Sequence, residues 1–585
     1  MISSNRVRLR TASVSLGALF LFGASVVVAQ DLRDETEVAV DLAVPRGVSQ
    51  RRASPPGRAA SESLRLLHLQ GREAVAGKAR NQPFGSAPSF ATPPPAVGKH
   101  TRLSVVVGEA DLLAELDVEA FPPQDLVVGL DRINTINPAT GFISTLGEPA
   151  HANVGGEIFY TGNTFASFTS NTGVTWAERA FPPPPNAGDT MCCDQDVEYS
   201  QGRNTVFWSM LYLNATRTVG TVTIAVLASP NVAPSCRYEF TFGANVVPDY
   251  PHLGLSNDFL YLNVNNLNTN GTANTNDDFW AGSQMLRFPL DEMAACQAFG
   301  FSIFTWNGPS GTGPQRVFVP VEGATDVMYW GILDNNTTFR IFDWPESSNS
   351  VSNVTRTISF SPQNNPDCRG GANNTDWIQR GTAFSLTGFR VRGWTGQPNG
   401  GGGRGVVGWL WNAGTTTGFP QAHVRAAVFD LESKDLIGQP HIFNPSFCFG
   451  FADVAVTERG HPAIVLGVGG QNGGGGSAVS SAVLLGDDTI SGGGPFGPAT
   501  IVAVGTHNPA NQRFGDYFTM QQLEPCDLFM TASSYVLNGG TAAANVEHHY
   551  TAFGRNRDLS CFDKWNAPIE IRLPFLPRFP IFIAR

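Results

Sequence analysis

Cys193-Asp194-Gln195-Asp196-Val197-Glu198-Tyr199, a turn at Gln201-Gly202-Arg203-Asn204, and then Val206-Phe207-Trp208-Ser209-Met210-Leu211-Tyr212 form the stretch that decides the fold. It reads as a strand, a tight turn and a second strand, since two apolar runs flank a polar, Gly-containing cluster. The same pattern recurs along the chain. Pro248–Leu255 is followed by Phe259–Val264, and Arg316–Val321 by Asp326–Ile332. Phe451–Val456 is followed by Pro462–Val468, and Phe514–Met520 by Cys526–Ala532. Two further strands follow in the best-defined unit, Val222–Leu227 and Tyr238–Phe242. Four antiparallel strands in a repeat of about 55 to 65 residues is the blade of a β-propeller. Less regular stretches at 104–180 and 375–445 bring the count to about seven. The expected fold is therefore all-β: a single β-propeller of seven four-stranded blades. A tandem of β-sandwich domains is the competing reading, and the regular spacing without linker-like breaks after residue 101 disfavours it.

Composition agrees. The 585 residues include 63 Gly and 40 Pro, too many for a mainly helical chain. The 42% hydrophobic content, with 40 Phe and 11 Trp, is enough to fill a large core. Charge is divided unevenly. Residues 1–100 carry 13 Lys/Arg against 7 Asp/Glu, and the remainder carries 25 against 42. The acidic body excludes a nucleic-acid partner as the first expectation. Lys434 and Lys564 are its only lysines, so its positive charge is nearly all arginine. Arginine suits planar, bidentate contact with carboxylates or sulfates, although ordinary surface pairs explain it equally.

The N-terminus reads as an export signal over 1–29: Arg6, Arg8 and Arg10, an apolar run from Ala12 to Ala29, and small residues at Val27 and Ala29. Residues 30–102, rich in Arg, Ala, Ser and Pro, read as a linker or pro-segment without fixed structure. Residues 103–560 are the expected propeller and 561–585 a C-terminal extension. After signal removal no membrane span is expected, and the product is expected to be a secreted or periplasmic monomer. Eight Cys in an exported chain favour disulfides, with pairing left open. The neighbours Cys192 and Cys193 are expected to bond to different partners, because a disulfide between them strains its geometry.

Thr169-Ser170-Asn171-Thr172-Gly173-Val174-Thr175-Trp176 resembles the Asp-box turn of secreted bacterial sialidase-like propellers (the BNR-repeat type), with Asn171 where that family has Asp. A short polar side chain caps the turn, Gly173 permits positive φ, and Trp176 anchors the next strand. Arg513-Phe514-Gly515-Asp516-Tyr517 is also similar to a segment of such propellers. The resemblance implies the fold and a carbohydrate ligand. Asp-boxes serve structure, and the family's early Arg-Ile-Pro motif is missing from this chain.

In a propeller the first strand of every blade faces the axis, so polar residues at the strand starts become neighbours. The candidates are Asp194, Asp196, Asp249, Tyr250, His252, Arg316, Asp453, Arg513, Asp516 and Tyr517. Asp249 and Asp516 are the candidate carboxylate pair for glycoside hydrolysis. Arg316 or Arg513 with Tyr517 and His252 would instead serve elimination from a uronate. Arg316 and Arg513 are the candidate contacts to an anionic ligand. The plainer reading makes the Asp residues turn caps or ties between blades, and Tyr517 and His252 packing groups. Trp377 and Trp394 are candidate sugar-stacking rings if exposed and core if buried. No metal or cofactor is assigned. Asn266–Gly271 alternates like a calcium loop but offers Asn where Asp is needed. The glycine runs at 400–403 and 473–476 lack a P-loop Lys and read as hairpin loops. The expected role is binding of an extracellular glycan or other anionic ligand on the axial face. A glycosidase or polysaccharide lyase using that face, and a surface-assembly protein, are the alternatives.

Overall fold

Alternating polar and apolar runs fold here into meanders, in which each strand pairs with the next one in the chain. The computed structural model describes residues 126–136, 146–272, 278–306, 318–335, 337–359, 367–378, 392–396, 405–486, 499–514, 516 and 518–562, and the backbone of 39–43, 46–47 and 582–584. The signal segment, most of 30–102, Arg316, Tyr517 and the glycine run 400–403 lie outside the described residues.

Two short strands come first, β1 (Ala39–Ala43) and β2 (Arg46–Gly47), followed by β3 (Leu126–Ile133). One meander holds β4 (Ala150–Val154), β5 (Glu157–Thr161), β6 (Ala166–Thr169) and β7 (Ala177–Glu178). The next holds β8 (Thr190–Ser200), β9 (Thr205–Leu213), β10 (Gly220–Leu227) and β11 (Cys236–Thr241). It is followed by β12 (Val246–Leu255), β13 (Phe259–Asn268), β14 (Phe279–Pro289) and β15 (Phe299–Trp306). Then come β16 (Val327–Asn335), β17 (Thr338–Pro345) and β18 (Ser352–Thr357). The short β19 (Cys368–Gly370) and β20 (Thr375–Asp376) lead to β21 (Arg392–Gly396), β22 (Val406–Ala413), β23 (His423–Asp430), β24 (Leu436–Gly438) and β25 (His441–Phe443). The next sheet is β26 (Cys448–Val456), β27 (Pro462–Gly469), β29 (Ser480–Leu485) and β30 (Thr500–Ala503), while β28 (Gln471–Asn472) pairs with β19. The last holds β31 (Thr519–Gln522), β32 (Met530–Leu537) and β33 (Val546–Arg555), completed by β3 from the opposite end of the chain. Strand β34 (Phe582–Ala584) pairs with β25.

The described chain is thus nearly all β and antiparallel, and its longest helix, Leu290–Ala294, has five residues. Strands such as Thr205–Leu213 and Val406–Ala413 are buried along their whole length, since each sheet is covered on both faces by its neighbours. The first strands of consecutive meanders touch: β4 with β8, β8 with β12, β21 with β26, β26 with β31, and β31 with β4. Between β12 and β21 runs the stretch 318–322. A Cβ on Gly254 of β12 would lie 2.4 Å from Pro320, and Glu322 bridges to Trp394 of β21.

The same irregularity recurs in three of these first strands. Asp194, Tyr250 and Phe451 have φ of 36°, 56° and 54°, each where the register with the second strand slips. A bulge residue in left-handed conformation bends the strand, at about 1–2 kcal/mol for a residue other than Gly. Between β6 and β7, Asn171 Oδ1 accepts from Thr175 N (2.9 Å) and Thr169 Oγ1 (2.8 Å), Gly173 has φ 78°, and Trp176 packs edge-on to Tyr160.

One expectation is corrected. Cys192 and Cys193 bond to each other, not to different partners. Strand β8 slips register on both sides of Cys193, and that irregular backbone accommodates the adjacent bond. Strands β1 and β2 fall within the stretch read as a linker or pro-segment and pair with the outer strands β15 and β11. The other disulfides are Cys236–Cys296, Cys368–Cys448 and Cys526–Cys561. Four disulfides fit a chain that folds in an oxidising compartment.

Candidate functional site

The acidic residues of the first strands have two distinct uses. Asp196 accepts from Leu253 N of the neighbouring strand through Oδ2 (2.8 Å) and faces His252 Nδ1 at 3.4 Å. Asp453 accepts from Met520 N in the same manner (2.8 Å). Gln521 donates to Val197 O (2.6 Å) and Gln522 to Val456 O (2.8 Å). Asp196, Asp453 and Gln522 bond one sheet's first strand to its neighbour's backbone, where no ladder exists to do so, and Gln521 ties β31 to β8.

Beyond them, where the first strands end, lies a cleft of about 160 Å³. Its polar lining is Asn153, Glu198, Tyr199, Glu322, Gln521, Gln522 and Glu524. No lysine or arginine lines it among the described residues. Glu198 and Glu322 also line a smaller cavity deeper in, with Asp196 and Asp453. Burial pushes the Glu198 carboxyl well above its ordinary range, and the charges of Glu322, Asp196 and Asp453 push the same way against a hydrogen bond from Gln521. These causes favour the protonated form of Glu198. Burial, reinforced by Asp527, raises Glu524 to about 7 against a hydrogen bond from Gln201. Tyr199 is half-buried, and its hydroxyl donates to Asn204 (2.9 Å). The site is rich in acceptors and amides and carries negative charge.

No family model matches the sequence, and no curated protein matches it. Solved structures align with it only loosely. An α-L-arabinanase of Penicillium chrysogenum complexed with arabinobiose covers 74% of this chain and 98% of its own, at 9% identity and a TM-score of 0.35. The sialidase NanB of Streptococcus pneumoniae covers 55% and 66%, at 8% identity and 0.35. The lectin SapL1 in complex with α-methyl fucoside covers 62% and 97%, at 11% identity and 0.32. Likeness of this degree carries no argument for the chain.

The described residues singled out from sequence do not line the cleft. Arg513 pairs with Asp516 at 3.1 Å and approaches Glu148 at 4.0 Å, all three buried near the starts of the first strands. Glu148 accepts from Asn163, whose Oδ1 accepts from Asp194 N (3.1 Å). Arg513 is thus committed to carboxylates of its own chain. His252 is buried against Asp196 and the edge of Tyr250 (4.3 Å), and Asp249 is half-buried at the bulge of β12. Tyr517 and Arg316 lie outside the described residues.

Trp377 and Trp394 are core rings and form no stacking platform. Trp377 donates to Gly469 O and packs on Phe451 and Phe514. Trp394 is buried over Gly408, where an added Cβ would meet its ring at 2.5 Å. The tandem rings fill the space that their glycine neighbours leave open.

The cleft residues lie where the first strands end, whereas the expected site lies at the strand starts. A signal did exist. Asp196 and Glu198 are two apart on a strand, hence on one face, and both are acids.

Proposed function

We propose that residues 103–560 form a β-propeller of seven units, exported behind a signal at 1–29, whose axial cleft binds an uncharged, hydroxyl-rich carbohydrate. The seven-unit ring is supported by the succession of first strands β4, β8, β12, the stretch 318–322, β21, β26 and β31, with β31 back against β4. Completion of the last sheet by β3 fits ring closure. The observation that carries the ligand class is the lining of the cleft. Three glutamates, two glutamines and an asparagine offer acceptors and donors to sugar hydroxyls, and Tyr199 offers a ring. An anionic glycan would face repulsion there, so the proposal narrows the ligand to neutral sugars and assigns no cofactor.

Retardation in gels containing neutral or anionic polysaccharides tests it. Neutral gels should retard the protein, and Gln522→Ala and Tyr199→Ala should each weaken retention about tenfold, the loss of one well-placed contact. Retention only by uronate or sialate polymers, or by none, would overturn it.

One observation favours a second reading, glycoside hydrolysis: burial and the neighbouring carboxylates raise the Glu198 pKa, the direction a general acid needs. Release of reducing ends that Glu198→Gln abolishes while retention persists would establish it. No release from a broad panel would leave the binding role alone.

A further inference from the structure

Nine residues near the N-terminus join two sheets from outside. Strand β1 pairs antiparallel with β15 over five positions, from Ala39↔Ile303 to Ala43↔Phe299. After Val44-Pro45, β2 pairs with β11 at Gly47↔Cys236 and Arg46↔Arg237. Proline has no N–H to give to a ladder, and in the sequence Pro45 stands between the two strands.

The two edges are held in place without this segment. Cys236, the first residue of β11, is bonded to Cys296, three residues before β15 begins. Tyr238 packs on Phe299 (4.9 Å between centroids) and Phe240 on Phe301 (5.3 Å), fixing β11 against β15. Each edge offers a row of backbone donors and acceptors that recruits an extended chain. The C-terminal β34 covers β25 in the same way.

We propose that the outer edges of β11 and β15 form a prebuilt strand-acceptor site, and that Ala39–Gly47 occupies it as a detachable strap. The strap's affinity comes from main-chain hydrogen bonds, so a separate peptide of the same sequence fills the site when the strap is removed. Arg51-Arg52, a few residues past the strap, gives trypsin-like proteases a place to cut that leaves it whole.

The test uses the full chain with a recognition sequence for a site-specific protease inserted after Ser49, cut once the protein has folded. The N-terminal fragment should co-elute with the body in gel filtration at micromolar concentration. An excess of a synthetic peptide of residues 37–48 should displace it. Hydrogen exchange at Phe299–Ile303 should quicken at least about tenfold when the strap is stripped in mild denaturant, and slow again when peptide is added. The same peptide with Asp41→Pro and Leu42→Pro should neither displace the fragment nor restore protection. Two consecutive prolines ensure that a ladder donor is lost whichever residues point at β15. Immediate loss of the fragment with no peptide binding would overturn the proposal. So would equal competition by the proline peptide, or exchange at Phe299–Ile303 that is indifferent to the strap.

Discussion

Asp453 and Asp196 show how a residue type that suggests catalysis can be committed to architecture. Each uses a carboxylate oxygen to accept a backbone N–H from the neighbouring first strand. Asp453→Ala leaves Met520 N buried without its acceptor, and should cost about 2 kcal/mol in denaturant titration. Asp453→Asn should cost less than half of that, since an amide oxygen can accept the same bond and the change removes a charge that opposes Glu198. Glu524 behaves differently. Its pKa is raised in the folded chain from 4.5 to about 7, mainly by burial, so the folded state holds its proton more tightly than the unfolded one. That contribution to stability is complete below about pH 4.5 and is lost as pH rises through about 7. Glu524→Gln should therefore flatten the fall in melting temperature between those values and leave the variant the more stable at pH 8. The strand Asp194–Tyr199 was visible in the sequence as a strand bearing acids, but which acids bond backbone and which face the cleft was not. That division depends on the register slip at Cys193, and nothing in the residue pattern announces it.

Among elements, four of the five strand pairs read from the sequence form hairpins, while in the pair 316–321/326–332 the described residues 318–321 are not a strand. The four are β8/β9, β12/β13, β26/β27 and β31/β32; in the fifth pair a single backbone bond, Val321 N to Tyr329 O, links the two stretches. They were legible because period and turn chemistry are local. Strands β1, β2 and β34 were not, since two to five residues show no period and their partners lie far along the chain. The pairing of β3 with β33 was invisible for the same reason, yet it carries an ionic contact of its own. His549 Nδ1 on β33 lies 3.3 Å from Asp131 on β3. Burial lowers the affinity of His549 for its proton, but Asp131 and Glu547 outweigh it and raise the pKa to about 9. A raised imidazole pKa contributes stability that is complete below about pH 6.5 and lost as pH rises through 9. Asp131→Asn should remove most of that dependence, as read from melting temperatures across pH 6 to 10.

For the molecule as a whole, three disulfides span 35, 60 and 80 residues. Bonds closing loops of this size restrict the unfolded chain by roughly 3–4.5 kcal/mol each in the chain-entropy account. Reduction should therefore lower the melting temperature markedly, and Cys236→Ser with Cys296→Ser should reproduce part of the loss. The acidity that composition shows for the body reappears at the cleft, which is why its chemistry points away from anionic ligands. The completion of the last sheet by β3 has a consequence in time. Ribosomes make β3 early and β33 near the end, so for most of synthesis β3 has no partner. If the chain is threaded across a membrane before folding, its last sheet is finished only after residue 555 has crossed. A message truncated before Val546 would release a chain with an orphan strand, a species prone to clump with its own kind rather than to fold slowly.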